Sequence, residues 1–292
     1  MISIIITSFN EPNLERAILS ALKQKINYKY ELIIVAPDKN AQNLVKKYSK
    51  NYNIKYFKDP GKGKSYALNL VLKKLKSEFL ILTDGDVYLG NNSINEIMKL
   101  FKDLIIGVVS GRPRPEESKG NKFGYWSNLL FYGAHKIRKK LFDEGKFLEC
   151  SGYLFAFRNK VIREFPLDVA EDTIIPYIFS HKGYKIGYAE KALVYVKNPN
   201  NFKDWLKQRK RTAKGHETLI KYYPHFPRVK SFWNEIKYGF FWALSYPLTI
   251  REMYWTILLF FARFYMWILV LTESKLLKKQ YQDAWERVHS TK

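Results

Sequence analysis

Two carboxylates separated by one glycine, Asp84-Gly85-Asp86, directly follow the apolar run Phe79–Leu82 and Thr83. Acidic groups at i and i+2 just past a strand can converge on one hard divalent cation, with the glycine permitting the turn; Asp-Gly is also an ordinary turn pair. A second segment, Asp59-Pro60-Gly61-Lys62-Gly63-Lys64-Ser65, has the look of a nucleotide P-loop but fails that test, because Lys58 stands where the motif needs its first glycine. A glycine-flanked lysine opening a helix can still approach a phosphate through its charge and the helix N-terminus, and a plain loop is the other reading. Glu171-Asp172-Thr173 opens a helical segment about 86 residues after Asp86, and by residue type alone these are ordinary helix-start residues. Gln208-Arg209-Lys210-Arg211 could clamp a diphosphate through arginine or lie as a basic face on lipid headgroups. The five histidines show no HExxH spacing and no Gly-x-Ser-x-Gly elbow occurs, which removes zinc-protease and serine-hydrolase readings.

The elements that must hold these residues are legible in the first 110 positions. Apolar, β-branched runs at 2–6, 31–36, 54–57, 79–83 and 105–109 alternate with helical patterns, as buried parallel strands of an open α/β sheet do. Ala17, Ile18, Ala21 and Leu22 share one helical face, and Tyr66, Leu70, Leu72 and Leu75 are expected to share another. Ligands of such sheets sit beyond the carboxyl ends of the strands. That rule points to 7–13, 36–40, 59–64 and 84–88, all polar and turn-like. Beyond position 113 a helix is expected over 123–142, strands over 152–157, 184–188 and 193–196, and helices over 170–182 and 202–222. A proline-marked stretch (Pro224, Pro227) then leads into an aromatic tail.

The chain has 292 residues, 50 Lys+Arg against 27 Asp+Glu, a net charge of +23, and 47% hydrophobic residues, enough for a real core. That charge fits nucleic acid, anionic lipid or phosphorylated substrates as partners, or a lysine-rich solvated surface. The last third is the more basic part per residue and holds six of the seven tryptophans, Trp205, Trp233, Trp242, Trp255, Trp267 and Trp285. Aromatics beside lysine and arginine suit a membrane interface. Residues 253–272 would span roughly 30 Å as a helix. Their ten Leu, Ile, Phe and Val residues contribute about −3 to −6 kcal/mol to insertion, against about +3 for Arg263 near the centre. A spanning or re-entrant helix, an interface-lying pair with 232–250, and a soluble cap all remain open. Cys150 is the lone cysteine, so an intrachain disulfide is excluded. With no basic stretch ahead of the opening strand, no cleaved secretory signal is expected, and a reducing, cytoplasm-facing location fits.

Taken in order, the motifs resemble those of the family 2 glycosyltransferases with a GT-A fold. The likeness runs from Ile5–Glu11 through Gly63–Asn69, the DxD triplet Asp84–Asp86, Ser151–Arg158 and Glu171–Thr173 to Gln208–Arg211, which is similar to the family's Q-x-x-R-W element. The resemblance implies an α/β GT-A fold with a mostly parallel sheet over 1–222 and a helical, membrane-associated extension over 223–292. It further implies an inverting glycosyltransferase that moves a sugar, hexosyl by expectation, from a nucleotide-sugar. Asp86 and Asp84 would hold Mg²⁺ or Mn²⁺, with Lys64 and Arg211 adding positive charge at the diphosphate. Thr7, Glu11 and Asp38 would contact the nucleoside, and Gln208 belongs to the same donor side. Asp172 would be the general base, with Ser151, Gly152, Tyr153 and Glu171 toward the acceptor.

Two departures accompany the likeness. Ala36-Pro37-Asp38 replaces the paired acidic residues the family usually carries, and Thr212 replaces the tryptophan, which argues against a processive synthase. The expected partners are a nucleotide-sugar, a lipid-linked or glycan acceptor and an anionic membrane surface, without nucleic acid. The expected place is the cytoplasmic face of the membrane, peripheral or anchored by one C-terminal helix. A sugar nucleotidyltransferase and a non-catalytic basic membrane- or nucleic-acid-binding protein are the alternatives.

Overall fold

The computed structural model describes residues 1–226, 232–273 and 289–291, so Pro227 and Trp285 lie outside the described residues. Its first half alternates strand and helix: β1 (Ile2–Thr7), α1 (Leu14–Leu22), β2 (Tyr30–Ala36), α2 (Lys39–Tyr48), β3 (Ile54–Lys58), α3 (Lys64–Leu72) and β4 (Phe79–Asp84). Strands β1, β2 and β4 are largely apolar on both faces because helices cover both, whereas the edge strand β3 is mostly polar and partly exposed. Then come β5 (Val87–Leu89), α4 (Ser93–Leu100), β6 (Ile106–Pro115), α5 (Lys122–Asp143), β7 (Leu154–Arg158), α6 (Glu171–His181) and β8 (Lys185–Val196). The chain continues as α7 (Phe202–Glu217), α8 (Leu219–Tyr222), α9 (Phe232–Leu244) and α10 (Ile250–Leu271).

One sheet carries all eight of these strands in the order β3-β2-β1-β4-β7-β6-β8-β5. Strands β1 to β4 pair in parallel, as do β6 and β8, whereas β7 runs antiparallel to both its neighbours and β5 antiparallel to β8. This arrangement builds the site's edge. Thr7 pairs with Asp84, so the carboxyl ends of β1 and β4 finish level. Because β7 is reversed, it begins at that same edge, with Leu154 opposite Thr83, and delivers Ser151–Tyr153 beside the acidic triplet.

Two expectations need correction. The buried face of α3 is Ala67, Leu68, Val71 and Leu72, while Leu70 is 39% exposed. The helix is capped at Lys73, so Leu75 lies beyond it and cannot extend the expected stripe. Runs 184–188 and 193–196 form a single strand, β8, whose register against β6 shifts between Ser110 and Arg112. The bulge breaks the alternation that periodicity reads.

The tail helices pack onto the catalytic half. Tyr125, Trp126 and Leu129 of α5, Trp205 of α7 and Leu259 and Ala262 of α10 form one apolar cluster. Two polar ties fix its register: the Trp126 indole Nε1 donates to the Trp255 carbonyl at 2.7 Å, and the Tyr125 and Thr256 hydroxyls bond at 2.7 Å. Thr249 caps α10, accepting from the Glu252 amide at 3.2 Å.

Candidate active site

Lys64 is the hub of the site. Gly63, at φ +115°, occupies a backbone region that favours glycine, and this turn launches α3 with Lys64 as its first residue. The Lys64 ammonium lies 2.6 Å from Asp84 Oδ1 and 2.6 Å from Glu171 Oε1. Residues from β4 and from the start of α6, 87 positions apart, thus meet on one side chain. The Thr7 hydroxyl also donates to Asp84 Oδ1, at 3.2 Å. Gly85 must be small here: a Cβ would sit 3.0 Å from both Ser8 Cβ and Ser8 Oγ, and its amide donates to the Thr7 carbonyl at 2.9 Å.

Charge is crowded at this point. Burial alone would lower the Lys64 ammonium, but Asp84 and then Glu171 outweigh it and hold the group well above the usual lysine range. Burial pushes the Glu171 carboxyl up to about 7; Lys64 opposes that and the adjacent Asp172 adds to it. One ammonium does not satisfy three nearby carboxylates, so the cluster favours additional positive charge.

Asp172 approaches the loop before β7. A Cβ on Gly152 would meet Asp172 Oδ2 at 2.5 Å, so the carboxylate rests against backbone that only glycine leaves open. The loop is fixed from behind by the Thr83 hydroxyl, which donates to the Tyr153 carbonyl at 2.8 Å, and by the Ser151 amide, which donates to Ser110 Oγ at 3.0 Å. Burial raises the Tyr153 phenol, Arg209 opposing and Asp86 adding.

These groups line one cavity of about 980 Å³, shared by Thr7, Glu11, Lys64, Asp84, Asp86, Ser151, Gly152, Tyr153, Glu171, Asp172, Gln208 and Arg211. Asp38 does not line it. Its Oδ1 caps α2 through the Ala41 amide at 2.9 Å and its Oδ2 accepts from the Asn10 amide at 3.1 Å, so it ties α2 to the turn after β1. Among the described residues no group of three or more His, Cys, Asp or Glu could hold a metal by itself. Two hard carboxylates at the rim of a cavity are the donor set suited to Mg²⁺ or Mn²⁺ when substrate phosphates supply the remaining ligands.

Arg209, which the sequence offered only as part of the Gln208–Arg211 segment, also lines the cavity, as do Glu235 and Arg263. Arg263 Nε donates to Glu235 Oε2 at 3.2 Å, its Nη2 contacts Glu235 Oε1, and the Trp267 indole donates to Glu235 Oε2 at 3.1 Å. A charge within an apolar helix needs a partner, and that signal in the sequence could have led from Arg263 to Glu235. Lys210 and Lys214 of α7 pair with Glu273 just beyond α10.

The sequence profile described as Glycosyl transferase family 2 matches residues 3–165. Poly-beta-1,6-N-acetyl-D-glucosamine synthase of Staphylococcus epidermidis is 24% identical over 249 residues, covering 81% of this chain and 57% of that protein. Probable glycosyltransferase YdaM of Bacillus subtilis is 26% identical over 251 residues, covering 78% of this chain and 58% of its own length. The chain therefore spans a little over half the length of these curated relatives. Among solved structures, mannosyltransferase PcManGT from Pyrobaculum calidifontis, in complex with GDP-Man and Mn²⁺, superposes with a TM-score of 0.62 at 18% identity, over 95% of this chain and 80% of that one. S. aureus TarS 1–349 in complex with UDP-GlcNAc gives 0.51 at 16% identity, over 93% and 80%. The shared architecture is the GT-A fold.

Proposed function

The chain belongs to glycosyl transferase family 2, and from that premise we propose that it is an inverting, metal-dependent glycosyltransferase acting on a membrane-held acceptor. The nucleotidyltransferase alternative is set aside by the family. The observation that carries the reading is the Lys64 bridge, which joins the acidic triplet to the Glu171–Asp172 pair within one cavity. A nucleotide-sugar enters with its nucleoside toward Thr7 and Glu11, the loop between them steadied by Asp38. Asp86 and Asp84 would hold Mg²⁺ or Mn²⁺, and the ion would supply positive charge to neutralise the departing nucleoside diphosphate. Lys64 and Arg211 add positive charge to the same leaving group. Asp172 takes the proton from the acceptor hydroxyl as that oxygen attacks the anomeric carbon, and a single displacement inverts the configuration. Tyr153, Ser151, Gly152 and Glu171 form the acceptor wall, and Gln208 stands on the donor side. The exposed apolar surface of α9 and α10 supports a place at the cytoplasmic membrane face.

The test has two stages. Nucleotide-sugars such as GDP-mannose and UDP-N-acetylglucosamine are screened for thermal stabilisation with and without Mn²⁺; at least one stabilises only with the ion. The same donor, carrying labelled sugar, is then offered with lipid extract. Label recovered only in a water-soluble product would remove the membrane-held acceptor, and no stabilisation by any donor would remove the reaction. In the active pair, Asp172→Asn lowers kcat on the order of 10²-fold or more while donor binding persists.

A further inference from the structure

The cavity brings together the carboxylates Asp84, Asp86, Glu171 and Asp172 and the guanidinium groups of Arg209 and Arg211 from α7 and Arg263 from α10, and the transfer reaction does not use all of them. Arg263 is already engaged by Glu235, which also takes the Trp267 indole. Arg209 is not. Its Nε and Nη2 are shielded from solvent and have no hydrogen-bond partner among the described residues. Burial pulls its guanidinium below the usual arginine range; Tyr153 and Glu235 oppose this and Arg263 adds to it. A guanidinium edge held dry with two unanswered donors is costly unless an anion reaches it, and its fork matches phosphate geometry. Apolar side chains line the same cavity: Leu130 and Ile137 of α5, Phe240 of α9, and Leu259, Phe260 and Phe264 of α10. That lining is continuous with the outer face of α9 and α10, where Phe240 and Phe264 are themselves partly exposed.

We propose that Arg209 receives the phosphate that ties a lipid to the hydroxyl-bearing part of the acceptor, the hydrocarbon chain lying along apolar side chains of α5, α9 and α10 and leaving between the two tail helices while the attacking hydroxyl reaches Asp172. Arg209 is thereby a binding residue, distinct from Arg211 on the donor's leaving group. The inference rests on the membrane-held acceptor proposed above and names its chemistry: an anion and a chain on one molecule.

The experiment uses the full chain in detergent and geranylgeranyl phosphate as the probe. Binding is followed by quenching of tryptophan fluorescence, since Trp242 and Trp267 line the cavity. Geranylgeranyl phosphate is expected to bind at least tenfold more tightly than either geranylgeraniol or inorganic phosphate. Arg209→Gln is expected to weaken it at least tenfold and Arg209→Lys to recover part of that loss, with Mn²⁺-dependent donor stabilisation kept in both. Equal binding of geranylgeraniol overturns the phosphate contact, and equal binding of inorganic phosphate overturns the lipid. Unchanged affinity in Arg209→Gln, or loss of donor binding with acceptor binding intact, moves Arg209 out of this role and overturns the assignment. Loss of donor stabilisation in the unmodified protein instead strikes the glycosyltransferase reading, so the two failures are separable. Donor stabilisation in each variant also reports that it is folded.

Discussion

At the scale of single residues, a constraint within the site is the approach of Asp172 to Gly152. The atom that an added Cβ would strike is the free end of a side chain, so the fold can yield by rotating that carboxylate. Gly152→Ala should therefore change stability by less than about 1 kcal/mol but lower kcat on the order of tenfold to a hundredfold, with donor affinity unchanged. Parallel kinetics and thermal unfolding check this; a large fall in Tm with normal kcat would mean that the loop, and not the base, needs the glycine. Glu171 gives a pH signature. Its folded-state value of about 7 lies above the ordinary 4.5, so between those values the folded chain holds more protons than the unfolded one and stability falls as pH rises. Across that window the loss is of order 1–3 kcal/mol. Glu171→Gln should flatten the decline, and a Tm series across the window that is steeper in the variant would refute the assignment.

At the scale of elements, Arg263 interrupts an otherwise apolar helix, and the cost it threatens is met from α9. Glu235 accepts from Arg263 and from Trp267, so two tail helices are held together by one carboxylate. Removing one partner strands the other, whereas removing both leaves apolar surface. Glu235→Ala should cost about 1–3 kcal/mol, and Glu235→Ala with Arg263→Leu should cost less than the two single changes together. Strictly additive losses in thermal unfolding would show that the pair is uncoupled. This pairing also marks where the sequence stops being legible. The strands β1, β2 and β4 were readable because β-branched apolar runs end in polar turns, and the motif residues followed from order and spacing. The α3 face was misread because that helix is covered over most of its circumference, so Ala67 and Leu68 are as buried as Val71 and no clean stripe exists. Glu235 escaped, and Arg209 was legible only as part of the Gln208–Arg211 segment, because their meaning depends on which side chains a tertiary cavity brings to them, and no local pattern encodes that.

At the scale of the whole molecule, the proposed membrane attachment would draw on two attractions that can be separated. One is charge: with a net +23, the surface gains about 1 kcal/mol for each lysine or arginine held near anionic lipid, an attraction that salt screens. The other is apolar contact. Phe241 is 77% exposed and Phe261 68%, on helices whose other faces pack against the catalytic half, and burying one such ring in lipid is worth about 1.5–3 kcal/mol. Helix α10 would extend about 33 Å, enough to cross a bilayer, yet its stripe Thr256, Leu259, Ala262 and Met266 is buried by protein. With one side of α10 committed to α5 and α7, the apolar attraction is confined to its outer side and that of α9. Sedimentation with vesicles containing phosphatidylglycerol should accordingly show binding that weakens with salt but reaches a plateau instead of vanishing. Replacing Phe241 and Phe261 together by Glu should remove most of the plateau, lowering binding at high salt at least tenfold, while donor stabilisation is retained. Binding that disappears at high salt in the unmodified chain would reduce the attachment to charge alone and leave the outer faces of α9 and α10 without a lipid contact.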